Sequence, residues 1–144
     1  MLRLVEVDPD RCSQLLRVQI TDEQKDFIDP VDQIIKDHMG MDSCIHLTLN
    51  DDDTIIGYAL IRHNRHERQL WLDDLMIDAK YQHQGYGRRF LQQLIDYMRS
   101  LDPSAPICLS CVKTNVHAIA LYTRLGFINT EQENTLGEYI FTYY

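Results

Sequence analysis

LDDLMIDAKYQHQGYGR, residues 72–88, carries an apolar strand-like run bearing Asp73 and Asp74 into Gln82-x-x-Gly85-x-Gly87. An amphipathic pattern starts near Tyr86, with Phe90, Leu91, Leu94, Ile95 and Met98 recurring at helical spacing. A strand, a glycine turn and a helix N-terminus make an anion site, because unpaired backbone N–H groups point outward and the helix dipole is positive there. Alternate glycines let a ligand approach backbone that a Cβ would shield. The segment predicts a phosphorylated cofactor held beside a pair of carboxylates.

On either side the chain alternates between strand and helix patterns. Residues 2–7, 45–49, 55–62, 69–77, 107–112, 127–130 and 138–143 read as strands. Asp8 and Pro9 offer an N-cap and an N1 proline ahead of Cys12, Leu15, Leu16 and Val18, and a second helical region over 21–41 is broken at Pro30. Asn115 caps a helix carrying Ala118, Ile119, Leu121, Tyr122 and Leu125, which Gly126 ends. The acidic turn Asn50-Asp51-Asp52-Asp53 lacks the spaced ligands of a calcium loop and reads as a solvated hairpin tip. His63 and His66 lie in a polar loop with no third ligand nearby and read as solvated, so no metal is expected.

Composition narrows the function classes. A chain of 144 residues with 44% hydrophobic and 25% charged residues suits one folded domain over 1–144. No apolar run approaches the roughly 20 residues that span a bilayer. Residues 1–8 lack a signal peptide's apolar core and read as a first strand. A net charge of -8 disfavours phosphate-led nucleic-acid binding and suits a cationic partner. Cys108 and Cys111 form a C-x-x-C on a strand, where residues three apart face opposite ways and cannot share a metal. Buried thiols and a reducing cytoplasm are expected.

The chain resembles the GNAT superfamily of acetyl-CoA-dependent N-acetyltransferases. That family's pyrophosphate signature is matched at Gln82, Gly85 and Gly87, and its downstream pattern at Asn115, Ala118, Tyr122, Gly126 and Phe127. The resemblance implies a mixed α/β domain: a mostly antiparallel splayed sheet of about seven strands flanked by about four helices. Gln82, His83, Gln84, Gly85, Tyr86, Gly87 and Arg88 would hold the phosphates of acetyl-CoA, with Asn115 near the pantetheine or serving as a plain N-cap. Leu75, Met76 and Ile77 would offer backbone groups to the pantetheine arm, and an N–H near Met76 would meet the oxyanion.

Acetyl transfer to an amine raises two proton problems. An alkyl ammonium has a pKa near about 10, so at neutral pH about one molecule in a thousand has a free lone pair. The departing thiolate also benefits from protonation. Tyr122, at the family's tyrosine position, is the expected acid. Asp73 and Asp74 compete for the base. On a strand they face opposite sides, so only one of them can share the cleft. Glutamate is common in the family at the position of Asp73, which makes Asp73 the favoured base and Asp74 the reserve.

Trp71-Leu72-Asp73-Asp74 ahead of Tyr81-Gln82 looks like the polyamine and diamine branch of the family. Asp29, Asp32 and Asp73, with Glu23, would then pair with ammonium groups, although a helix start carries acids for its own reasons. Rival acceptors are a protein N-terminus or lysine, an aminoglycoside or an amino acid, and a non-catalytic acetyl-CoA-binding module is the alternative from another class. No activated cysteine is evident, which favours direct attack in a ternary complex. Many members are homodimers, and residues 139–144 could pair across one.

Overall fold

Seven strands in the order β1-β2-β3-β4-β5-β7-β6 form one sheet. They are β1 (Leu2–Val7), β2 (Cys44–Asp51), β3 (Thr54–Asn64), β4 (Gln69–Ile77), β5 (Ile107–Cys111), β6 (Ile128–Glu133) and β7 (Tyr139–Tyr143). The computed structural model describes residues 1–8, 15–38 and 41–144, and all their side chains except those of Lys25 and Asp26. Every pairing is antiparallel except β4 with β5. Three α-helices are described, α1 (Val31–His38), α2 (Tyr86–Leu101) and α3 (Val116–Leu125), with short 3-10 turns beside them.

The strands and the two later helices form where sequence periodicity places them. The region over 21–41 divides as Pro30 requires, but its first part is the 3-10 helix Asp22–Asp26. Thr21 and Gln24 close that turn as a capping box. The expected helix start at Pro9 and Cys12 lies outside the described residues. Residues 15–17 form a 3-10 turn.

Each face of the sheet has its own core. Phe90, Leu91, Leu94, Ile95 and Met98 of α2 pack on Leu47, Leu49, Ala59, Ile61, Leu70 and Leu72. Leu15, Val18 and the α1 residues Val31, Ile34 and Ile35 cover Tyr58, Leu60 and Met76 on the other face. The N-cap of α2 is Gly85, whose side of the helix carries no side-chain cap. A missing cap costs about 0.5–2 kcal/mol, whereas each buried apolar side chain contributes roughly 1.5–3 kcal/mol. The helix therefore stands on its buried stripe, and its N-terminus is left open.

An extra residue in β4 reorganises the sheet. Leu60 pairs with Asp74 while the next residue, Ile61, pairs with Leu72, so Asp73 bulges from the ladder. Leu70 and Leu72 face the α2 side, but beyond the bulge Met76 faces the α1 side and Leu75 and Ile77 pack toward α2. Pairing of β4 with β5 is confined to Leu70 with Ile107 and Trp71 with Cys108. A bulge bends its strand and increases the local twist, and beyond it the two strands part to open a cleft.

Gly57 supports the far end of that opening. A Cβ there would stand 2.5 Å from the Met76 carbonyl oxygen and 3.0 Å from the Phe90 ring. Gly57→Ala is expected to lower stability by about 1–3 kcal/mol through overpacking, read as a drop in the urea midpoint at unchanged slope.

Candidate active site

The loop between β4 and α2 is shaped to receive an anion. His83 (φ 62°) and Gly85 (φ 82°) are both left-handed, and they turn the chain into the helix. A Cβ on Gly85 would meet no protein atom within 4 Å. Its glycine therefore answers a conformational need, and the space before it is open. Among the described residues, no acceptor takes the backbone N–H of Gln84, Gly85, Tyr86, Gly87 or Arg88. Five such donors at a helix N-terminus suit a diphosphate, so the chain's own residues fit coenzyme A.

The cleft beside this loop has a volume of about 740 Å³ and runs between the parted strands. One wall is β4 from Leu72 to Ile77, and the opposite one is Ser110, Cys111 and Val112 with Asn115 and Tyr122 of the α3 region. Phe27, Ile28 and Asp29 close the side toward α1. Its lining carries the carboxylates of Glu23, Asp29, Asp73, Asp74 and Glu138, and no lysine or arginine among the described residues.

Backbone parity decides which amides face this space. The Asp78 N–H donates to the Ile56 carbonyl at 2.8 Å. Alternate residues of an antiparallel ladder point the same way, so Met76 turns its N–H toward β3. Leu75 and Ile77 turn theirs toward the cleft. Near Met76, the N–H groups aimed at the cleft are therefore those of Leu75 and Ile77, and not that of Met76 itself. The Met76 side chain, 3% exposed, belongs to the α1-side core.

The model of the Acetyltransferase (GNAT) family matches residues 12–127. The chain belongs to the GNAT acetyltransferase family. It is therefore an acetyltransferase, of a family that uses acetyl-CoA. The spermine/spermidine N(1)-acetyltransferase of Bacillus subtilis is 27% identical over 133 residues, covering 88% of this chain and 87% of that one. Among solved structures, the fold resembles that of spermidine N-acetyltransferase from Vibrio cholerae in complex with CoA and spermine. The TM-score is 0.76 at 15% identity, over 98% of this chain and 92% of that one. The ribosomal-protein-S18-alanine N-acetyltransferase of Escherichia coli also shares the fold, with a TM-score of 0.72 at 20% identity over 99% and 91% of the two chains.

Within this GNAT cleft, Asp73 and Asp74 do not face opposite sides. The bulge inserts one residue between them and the regular register, so the faces of 71 and 73 before it and of 74 and 76 after it coincide. Both carboxylates line the cleft. Their partners then separate them. Arg62 donates to Asp73 through two nitrogens, Nε to Oδ2 at 2.9 Å and Nη2 to Oδ1 at 3.2 Å. The same guanidinium lies 5.5 Å over the Trp71 ring. No cation pairs with Asp74 among the described residues. Burial, and then the charges of Asp73, Asp29 and Glu138, push its carboxyl up to about 8.

Tyr122 also lines the cleft, its ring 5.8 Å from Phe127 and 6.2 Å from Phe141. Burial, with Cys111 and Asp74 nearby, raises its phenol well above the usual range, so it keeps its proton. Burial and Glu138 push the Cys111 thiol up to about 11. Cys108 and Cys111 sit on opposite faces of β5, as strand parity requires. Both are free, and both have raised pKa values, so neither is a ready thiolate nucleophile.

Most of the sequence-predicted residues come together here. Asp29, Asp73, Asp74, Leu75, Met76, Ile77, Gln82, His83, Gly85, Tyr86, Gly87, Asn115 and Tyr122 all line the cleft. Asn115 accepts the Ala118 N–H at 3.3 Å, so its carbonyl oxygen serves as the α3 N-cap. Gln84 and Arg88 are exposed and contribute backbone rather than cleft-lining side chains. Asp32 stands outside. In α1 the residues Val31, Ile34 and Ile35 turn inward, which leaves Asp32 on the solvent face. Sequence reasoning missed Glu138 and Arg62. Glu138 accepts from Asn134 Nδ2 at 2.8 Å and Ser110 Oγ at 3.3 Å. No local motif marks either residue, because each reaches the site through sheet pairing.

Asp74 gives the fold a definite pH signature. Between the ordinary carboxyl value of 3.8 and its folded value of about 8, the folded chain holds a proton that the unfolded chain has lost. Stability therefore falls as pH rises through that window. Asp74→Asn, which mimics the protonated form, is expected to raise the melting temperature clearly at pH 9 and little at pH 4.5. Equal shifts at both values would contradict the raised carboxyl.

Proposed function

We propose that this GNAT enzyme transfers the acetyl group of acetyl-CoA to a primary amine of a polyamine or diamine, by direct attack in a ternary complex. The observation that carries the acceptor class is the cleft itself. Five carboxylates line it and, among the described residues, no lysine or arginine does, and the space lies beside the anion loop. A long polycation entering there gains several charge pairs, which hold one amine at the thioester while the others anchor it. The similarity to the spermine/spermidine enzyme of Bacillus subtilis supports the same reading.

Acetyl-CoA supplies an activated acyl group, and its bridging diphosphate takes the free amides of residues 84–88. Leu75 and Ile77 offer backbone hydrogen bonds to the pantetheine arm and to the carbonyl oxygen as charge develops on it. Asp74 is the proton acceptor for the attacking ammonium, in place of the favoured Asp73. Arg62 occupies both oxygens of Asp73, whereas the raised carboxyl of Asp74 is matched to working pH. Tyr122, held protonated, delivers its proton to the departing thiolate. Asp29 and Glu138 are the anchors for distal ammonium groups.

A thiol-release assay with spermidine, spermine, diamines, aminoglycosides and peptides tests the acceptor. Turnover is expected to be highest with the polyamines, and preference for a peptide or a short neutral amine would refute the reading. Tyr122→Phe is expected to lower kcat by about 10²–10⁴-fold with little change in the KM for acetyl-CoA. In the wild type, kcat/KM is expected to rise with pH through a limb near 8, the free-enzyme value for Asp74. Asp74→Asn should remove that limb.

A further inference from the structure

The acceptor side of the cleft is laced to the phosphate loop by hydrogen bonds at two levels. The Gln19 N–H donates to Asp78 Oδ1 at 2.8 Å, and the Ala79 N–H returns a bond to the Gln19 carbonyl at 2.8 Å. Asp78 is only 5% exposed, so this first junction is buried. Farther along, Gln82 Nε2 donates to Gln24 Oε1 at 2.8 Å.

The second junction is saturated. A glutamine amide carries two protons, and Gln82 gives one to Gln24 and the other to the Ile77 carbonyl at 3.0 Å. None remains for a phosphate, although Gln82 opens the anion signature. Gln24 Oε1 takes the Thr21 N–H at 3.0 Å as well, so its two lone pairs are also in use. Gln24 therefore closes its own 3-10 helix and holds the loop with the same atom. Just beyond that helix, Phe27, Ile28 and Asp29 form the acceptor side of the cleft.

We propose that Gln24 is a positioning residue that couples the two halves of the site, so that coenzyme binding at residues 82–88 orders residues 19–29. The proposal rests on the reading of residues 82–88 as the site for coenzyme A. A ligand that steadies the loop steadies Gln82, and through Gln24 it steadies the turn that carries the acceptor wall. Linkage makes the effect reciprocal, so an amine bound at that wall tightens coenzyme binding by the same factor.

Hydrogen exchange with and without coenzyme A, read by mass spectrometry on the whole chain, tests this. In the wild type, coenzyme A is expected to slow exchange about fivefold or more in residues 19–29 as well as in the loop. Gln24→Leu should keep the loop protection and lose that of residues 21–29, which lie beyond the Gln19–Asp78 junction that it leaves intact. Gln24→Glu, which retains an oxygen acceptor for both donors, should restore it. Gln82→Met cuts the same tie from the loop side and replaces Gln24→Leu if that variant fails to fold. Coenzyme A binding without protection of 19–29 in the wild type overturns the coupling alone, as does undiminished protection of 21–29 in Gln24→Leu. Absence of any coenzyme A binding, by calorimetry, overturns the cofactor reading and the coupling together.

Discussion

Asp73 stands in β4 as a residue too many for its partner strand, and the architecture of the cleft depends on that insertion. Before it, even-numbered residues face α2; after it, odd-numbered ones do. The strand that supplies the site thus changes hands where it leaves β5, whose pairing ends at Trp71 and Cys108. Two consequences follow from one bulge. The sheet opens, and two adjacent carboxylates are brought to the same side of it.

Two carboxylates side by side repel, and the protein relieves this unevenly. Arg62, stacked on Trp71, grips Asp73 with two nitrogens, while Asp74 is left half-buried with no cation beside it among the described residues. Low dielectric then favours its neutral form, and the same burial holds the Cys111 thiol and the Tyr122 phenol protonated. One physical cause yields a carboxyl that exchanges its proton near working pH and a phenol that retains its own. In the mechanism proposed here those are the base and the acid. In that mechanism an incoming ammonium also relieves the crowding of charge around Asp74 by Asp29 and Glu138, so binding and proton transfer draw on the same field.

Much of this was legible in the sequence, and what was not has a physical reason. Local signals carried far: the period of α2, the cap at Asn115, the left-handed stop at Gly126 and the glycine turn all encode their own backbone geometry. Asp73 and Asp74 were found as a pair, but their relative facing was misjudged, because a bulge is a property of two strands together and no residue type announces it. Arg62 and Glu138 lie 11 and 28 positions from the partners that bring them to the site. Such contacts come from register, which a single chain's periodicity leaves open. Asp32 was counted in through the resemblance to the polyamine branch, yet the inward stripe of α1 turns it to solvent, as an acid at a helix start can be for its own reasons.

The unequal fates of Asp73 and Asp74 are the centre of this account, and carboxyl titration by carbon-13 NMR measures them directly. The Asp74 resonance, assigned by its loss in Asp74→Asn, is predicted to titrate near 8 in the free enzyme. Titration of Asp74 in the ordinary range near 3.8 would contradict the account.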